Sequence, residues 1–181
     1  MNEIEMKLKV DNLDELKKVL ESKGCVLSEM KHQIDTVFLE KSAQDFNIKT
    51  GMIVLRIRTI GDKHLITLKQ RKENIIESKE IEFSISDSAK CKQLFETLGY
   101  KEMVTIDKKR TTTKYKNFNI CLDEVLNLGS FVEVEIVTDE DNKADYYENE
   151  ILKVCNKLGI DVQNRINSHY DTMLYELRNN H

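Results

Sequence analysis

The chain has no proline, no tryptophan and only 6 glycines in 181 residues. No low-complexity stretch divides it, so nothing marks a linker to a second domain. No run approaches the roughly 20 apolar residues that a spanning helix needs, and no basic segment leads into an apolar one at the start. The expected location is the cytoplasm. The four cysteines, Cys25, Cys91, Cys121 and Cys155, are widely spaced, with no C-x-x-C pair and no histidine-rich partner segment. That spacing argues against zinc and against a disulfide framework, and all four read as reduced, structural thiols. Charge of one sign is not in excess either: a net charge of -4 with 33% charged residues gives no bulk signal for nucleic acid or a membrane surface. Any anion site must be local. A G-x-x-x-x-G-K-[ST] loop and a G-x-S-x-G turn are both missing, which removes P-loop and triad-hydrolase chemistry. His32 reads as a satisfied surface or pocket residue. His64 falls at a hairpin, His169 at a helix start and His181 at the terminus, and none of them suggests catalysis.

What is present is a recurring pattern. A Glu-x-Glu pair sits in an alternating apolar/charged run at Glu3/Glu5, Glu80/Glu82 and Glu133/Glu135, and each time a helical stretch follows that closes on a glycine. A strand places residues i, i+2 and i+4 on one face, so Glu3, Glu5 and Lys7 point one way while Ile4, Met6 and Leu8 point the other. With 40% apolar residues and this length, one globular unit with its own core is the default.

Period-two runs predict eight strands, near 2–10, 35–40, 52–60, 64–71, 79–85, 104–112, 115–123 and 130–138. Helical spacing predicts 12–23 before Gly24, 87–98 capped by Asp87 or Ser86 before Gly99, about 142–158 before Gly159, and about 168–178. Ile60-Gly61-Asp62-Lys63 reads as a tight hairpin. The order strand, helix, three strands occurs twice. The fold class expected is therefore α+β: a duplicated β-α-β-β-β unit whose eight mostly antiparallel strands close into a barrel, with helices packed outside.

Strong apolar faces, Ile53/Leu55/Ile57, Ile66/Leu68, Ile81/Phe83/Ile85, Val132/Val134/Ile136 and Ile4/Met6/Leu8, suit coverage by helices. The opposite faces carry Glu3, Glu5 and Lys7; Arg56 and Arg58; Lys69 and Arg71; Glu80 and Glu82; and Glu133 and Glu135, preceded by Asp123. Lys108 and Arg110 share a face with Ile106, which leaves the register of that strand open. A single such pair is a solvated face whose cross-strand ion pairs contribute ~0.2–1 kcal/mol. The recurrence favours an inward orientation instead. An interior so charged persists only if opposite charges pair or a ligand and a metal complete it. Lys7, Arg56, Arg58, Lys69, Lys108 and Arg110 match a triphosphate of roughly -4 charge, and carboxylates from separate strands offer oxygens to a hard divalent ion such as Mg²⁺ or Mn²⁺.

These residues resemble the CYTH domain, or triphosphate tunnel metalloenzymes, over nearly the whole chain, closest to class IV adenylate cyclase-like and thiamine triphosphatase-like members. The motifs that carry the resemblance are Glu3-Ile4-Glu5-Met6-Lys7, His32-Gln33-Ile34-Asp35-Thr36-Val37-Phe38, Leu55-Arg56-Ile57-Arg58, Thr67-Leu68-Lys69 and Lys108-Lys109-Arg110, together with the stretch from Leu122 to Glu135. It implies a single tunnel domain over 1–181, metal binding at Glu3, Glu5, Glu133 and Glu135 assisted by Asp123, and triphosphate contacts from Lys7, Arg56, Arg58, Lys69, Lys108 and Arg110. Lys7, Lys69 and Arg110 are the implied catalytic cations. Glu80 and Glu82 match a second acidic strand lining the tunnel. Val37 stands where the family usually has an aromatic residue, and Ser168-His169-Tyr170 echoes a Ser-Tyr pair. The implied substrate is a small-molecule triphosphate, ATP, thiamine triphosphate or tripolyphosphate, with no nucleic-acid or membrane partner and a homodimer by analogy. The implied reaction is cyclisation of ATP or hydrolysis of a triphosphate, against the alternative of a polyphosphate or nucleotide sensor that does not turn over.

Overall fold

The computed structural model describes residues 2–46, 48–71, 77–140 and 143–179. The expected helix start at 142, His181 and the Arg71 side chain lie outside the described residues. The alternating runs form β1 (Asn2–Lys9), β2 (Lys31–Glu40), β3 (Ile53–Ile60), β4 (Lys63–Arg71), β5 (Glu77–Ile85), β6 (Tyr100–Tyr115), β7 (Phe118–Val125) and β8 (Gly129–Thr138). The 3.6-residue runs form α1 (Leu13–Ser22), α2 (Ser88–Thr97), α3 (Ala144–Leu158) and α4 (Tyr170–Asn179). A two-residue strand that periodicity could not announce, β9 (Arg165–Ile166), precedes α4.

Local chemistry sets the boundaries. Asn12 accepts hydrogen bonds from the Asp14 and Glu15 amides to start α1, and Asp87, not Ser86, accepts from the Lys90 amide to start α2. Gly159 ends α3 at φ 72, a left-handed position that a residue with a Cβ adopts only at a cost. Ile60 faces Lys63 across the expected hairpin, with Gly61 at φ 56. The next hairpin lies later than expected. Tyr115 pairs with Phe118 around Lys116 at φ 55, so 115–117 belong to the end of β6 and its turn.

All strand pairs are antiparallel, in the order β5-β4-β3-β2-β6-β7-β8-β1, and β1 pairs back to β5 through Asn2–Lys79, Glu3–Ser78 and Ile4–Glu77. The sheet is thus a closed eight-stranded barrel with β9 added beside the far half of β1. Closure needs an exchange between the repeats: β1 joins the β6-β7-β8 meander, while β5 joins β2-β3-β4.

The helices lie outside the ring of strands. Ile4, Met6, Leu8, Val132 and Val134 form a seat for Leu16 and Leu20 of α1 and for Ile151 and Leu158 of α3. Leu55, Ile57 and Ile66 receive Cys91 and Phe95 of α2, with Phe95 edge-on to Phe38 at 5.3 Å. Ile81 and Phe83 depart from expectation. Both remain about half exposed, at 50% and 55%, because the buried face of the ten-residue α2 packs on β2, β3 and β4 and reaches β5 only at Ile85. α4 lies across one end of the barrel. Its Tyr170 and Leu174 pack on Val37, Val54, Val104, Ile106 and Phe131, all from inward faces. This explains why Ile106 shares a face with Lys108 and Arg110: the interior is apolar beneath α4 and ionic beyond it.

Truncating Ile151, which is fully buried against β1 and β8, is expected to cost about 2–5 kcal/mol as Ile151→Ala. Phe83→Ala, on the uncovered face, is expected to stay within about 1 kcal/mol. Urea unfolding of both variants checks this contrast.

Candidate functional site

Register brings the charged faces together. Glu5 lies opposite Glu135 and Lys7 opposite Glu133 on β1–β8; Arg58 faces Asp35 on β2–β3; Lys69 faces Glu80 on β4–β5; and Arg110 faces Asp123 on β6–β7. The enclosed cavity is about 690 Å³. Six basic residues expected from the sequence line it, Lys7, Arg56, Arg58, Lys69, Lys108 and Arg110, as do all six glutamates of the three Glu-x-Glu pairs. Asp123 is placed differently. It is completely buried behind Arg110, outside the cavity lining.

The cations are held in fixed poses. Arg58 donates from Nε and Nη2 to the two oxygens of Asp35, each at 2.7 Å. Arg110 forms the same fork on Asp123 at 2.7 and 2.5 Å, and a further bond to Glu133. Such paired N–H···O contacts fix the plane of a guanidinium as well as its position. Lys108 stands between the two forks, 3.7 Å from Asp35 and 3.9 Å from Asp123. Tyr170 adds a third element: its hydroxyl donates to Asp123 at 3.0 Å, and its ring lies 4.1 Å from the Lys7 ammonium and 5.3 Å from that of Lys108. Lys7 also reaches Glu133 at 3.3 Å and the Ser168 carbonyl at 3.4 Å. On the far wall Lys69 meets Glu80 at 2.8 Å. Arg56 donates to the Thr67 hydroxyl, which donates in turn to Glu82.

Burial and neighbours move the ionisation of these groups in opposite directions. Burial pushes Asp35 up, but the Arg58 hydrogen bonds and the Lys108 charge overcome it and hold the carboxyl well below its ordinary range. Burial likewise works against Glu133, and Arg110 and Lys7 bring it down to about 2. Lys108 is lowered to about 8 by burial and by the like charge of Arg110. Glu3 goes the other way, pushed up to about 10 by burial and by its hydrogen bond with Glu80, against the pull of Lys69. Glu135 is raised by burial and by Glu133. Glu5 is held low despite burial, by Lys69 and by a hydrogen bond from His169. One wall is therefore a cationic cradle, and the seam of β1 and β8 is an acidic pole.

Glu3, Glu5 and Glu135 supply the oxygen donors that a hard divalent ion takes. Among the described residues no three such groups are drawn into a finished cage. A divalent ion that binds through one or two carboxylates plus waters and substrate oxygens needs no such cage.

Three residues of the site escaped sequence reasoning. Asp35 lies in one of the motifs but was given no role of its own. Tyr170 was visible only as the echo of a Ser-Tyr pair. His169, read as unpersuasive at a helix start, lies on the cavity wall 3.3 Å from Glu5. The cysteines are free and buried as expected, with Cys121 facing inward across from Glu133. His32 lies on the exterior against Asp107.

A closed barrel with a charged interior of this kind defines a tunnel protein. The CYTH domain profile matches residues 1–170, and the chain belongs to that family. It is 30% identical over 172 residues to MJ0240 of Methanocaldococcus jannaschii, provisionally named an adenylate cyclase, covering 94% of this chain and 97% of that protein. Among solved structures, the PH1819 protein of Pyrococcus horikoshii OT3 superposes with a TM-score of 0.81 at 26% identity, covering 97% of this chain and 99% of that one. HpAC1 from Hippeastrum shares the fold, with a TM-score of 0.65 at 18% identity over 98% and 95% of the two chains. No helix among the described residues is long and apolar enough to cross a membrane.

The shifts set opposite pH dependences in metal-free buffer. Glu3 keeps its proton in the folded chain to about pH 10 and loses it near 4.5 when unfolded, so its contribution is full below 4.5 and is lost as pH rises toward 10. Glu133, folded value about 2, contributes fully above 4.5, and that contribution is lost as pH falls through about 2. Thermal melts in EDTA are expected to show Glu3→Gln gaining on wild type as pH climbs from about 5 to about 9. A pH-independent difference between the two contradicts a proton on Glu3.

Proposed function

We propose that this protein is a metal-dependent enzyme acting on a small-molecule triphosphate inside the barrel, with class IV adenylate cyclase chemistry: ATP to cyclic AMP and pyrophosphate. The observation that carries this reading is the inward orientation of six cations in fixed poses beside a separate acidic pole. A barrel that used ions only for stability has no reason to enclose a cavity among them. Kinship with MJ0240 supports the cyclase choice.

Charge balance supports a metal partner. Six lining cations face six lining glutamates, with Asp35 and Asp123 behind them, so the interior carries two more acids than bases. A divalent cation at the acidic pole would tighten the hold on a polyanion that the cationic wall already attracts. Glu3, Glu5 and Glu135 would hold the ion, with Glu133 beside them shared between Lys7 and Arg110. A bound Mg²⁺ or Mn²⁺ supplies acidification of the attacking hydroxyl and neutralisation of phosphoryl charge. We assign Asp123 to the orientation of Arg110, because Arg110 and Tyr170 occupy its oxygens.

The chain's own groups do the rest. Arg58 spends two of its five N–H donors on Asp35 and lines the cavity, so the remaining donors would meet phosphate oxygens without the guanidinium reorganising. Lys7, Lys69 and Arg110 meet the charge that grows as the bond between the α-phosphorus and its bridging oxygen breaks and pyrophosphate leaves. The ribose 3'-oxygen forms the new bond in line with the one that breaks, and the proton of its hydroxyl passes to solvent water. Removing Asp35 would leave Arg58 buried and unaimed, so Asp35→Asn acts on catalysis through the arginine.

The same cradle accommodates attack by water on the terminal phosphorus of thiamine triphosphate or tripolyphosphate. HpAC1, alike in fold alone, is described by its investigators as having a dominant triphosphatase activity. A product-resolved assay with ATP, thiamine triphosphate and tripolyphosphate under Mg²⁺ and Mn²⁺ decides between them. Cyclic AMP with pyrophosphate supports cyclisation, and orthophosphate supports hydrolysis. Binding without any product makes the protein a sensor.

Glu135→Gln is expected to lower turnover by about a hundredfold or more with the melting temperature retained, while Glu40→Gln, at the exposed end of β2, leaves it unchanged. A fully active Glu135→Gln enzyme contradicts the assignment. Lys7→Ala is expected to weaken triphosphate binding at least tenfold, read by calorimetry.

A further inference from the structure

β1 is the seam of the barrel, and one of its edges is shared by two partners. Asn2 to Ile4 pair with β5, and Lys7 and Leu8 pair with β9. Glu5 and Met6 fall in the gap between those pairings. The loop that leaves β9 crosses this gap, enclosing a small side pocket against Glu5, Met6 and Lys7. It brings His169 Nδ1 to 3.3 Å from Glu5 Oε1, with both side chains mostly enclosed, at 18% and 15% exposure.

Glu5 needs such a partner more than the other acids of the pole. Directly opposite it is Glu135, and Glu3 is two residues along the same face. The close ion pairs of the neighbouring cations go elsewhere, Lys7 to Glu133 and Lys69 to Glu80, so Lys69 acts on Glu5 through its charge and does not fix the carboxylate's orientation. Glu135 has the Asn119 amide at 3.2 Å to fix it, and Glu133 has Arg110. Without His169 the Glu5 carboxylate is free to swing toward either lysine.

We propose that His169 is a positioning residue for the acidic pole: its Nδ1–H donates to Glu5 Oε1 and leaves Oε2 directed at the cavity. This inference rests on the metal reading given above. A hydrogen bond behind a ligating carboxylate fixes the ligand's orientation, and losing such a bond typically weakens metal binding by roughly tenfold to a hundredfold. The histidine acts through Glu5 and need not touch substrate.

The test separates orientation of Glu5 from seating of α4, which begins one residue later. Mn²⁺ alone is titrated into the full chain by electron paramagnetic resonance, and tripolyphosphate is titrated in EDTA by calorimetry. His169→Ala is expected to weaken Mn²⁺ by roughly tenfold or more while tripolyphosphate binding holds within about twofold, because the cationic cradle is untouched. Asparagine places an amide N–H where Nδ1 sits, and glutamine places one where Nε2 sits. His169→Asn is therefore expected to keep Mn²⁺ affinity within about threefold of wild type, and His169→Gln to behave as alanine does. Should His169→Ala fail to fold, the contrast between asparagine and glutamine decides the matter.

Unchanged Mn²⁺ affinity in His169→Ala overturns the proposal. So does parallel loss of Mn²⁺ and tripolyphosphate, which means that Tyr170 has moved off Lys7 and Asp123, and so does rescue by glutamine instead of asparagine. Mn²⁺ affinity in wild type no better than in Glu135→Gln refutes the metal site itself and takes this inference with it.

Discussion

The paired hydrogen bonds from Arg58 to Asp35 and from Arg110 to Asp123 are what allow the interior to exist. Charges removed from water cost several kcal/mol each unless their partners meet them with good geometry. Here each guanidinium is met across a strand pair by a carboxylate in exact register, and Lys108 bridges the two forks. The pairing makes the cationic wall tolerable without ligand and also aims it. Were the two aspartates lost, the arginines would have to turn to the glutamates, and the distinction between cradle and acidic pole would disappear.

The rest of the molecule serves that enclosure. An ordinary sheet protein buries its apolar face between two layers; this barrel turns its apolar faces outward and recruits α1, α2 and α3 to cover them. The hydrophobic effect thus stabilises the wall from outside while ion pairing stabilises it from within. The two regimes meet at Tyr170. Its ring packs on Phe131 and beneath Lys7, and its hydroxyl reaches Asp123, so a single side chain closes one end without leaving a buried polar atom unpaired.

Much of this was legible in the residues. Period-two alternation in Glu3 to Lys7, Arg56/Arg58 and Glu133/Glu135 announced both the strands and the two faces, and the repetition announced the duplication. The inward choice followed because so many charged faces recur on one plan. What stayed hidden depended on tertiary placement. The two residues of β9 are too few to show a period, and His169 acquires its neighbour only when the chain returns to β1 some 160 residues later. The partial exposure of Ile81 and Phe83 was hidden for the same reason: strand pattern tells which face is apolar, not how far a helix reaches. The family resemblance gave Asp123 an assisting part at the metal, and the residues alone did not show that Arg110 and Tyr170, which come from two other elements, reach its oxygens.

The exchange of first strands between the two repeats has a bearing on how the chain must assemble. A half-length polypeptide ending after β4 would carry a meander whose β4 has no partner on its outer edge and a β1 with no meander to join. Both open borders are completed by the mirror arrangement in the other half, so neither half is a self-sufficient folding unit. Every productive route has to bring residues near the beginning of the chain against those near 79 and 138 before any chamber exists, and the cationic cradle and the acidic pole are completed together, at that joining.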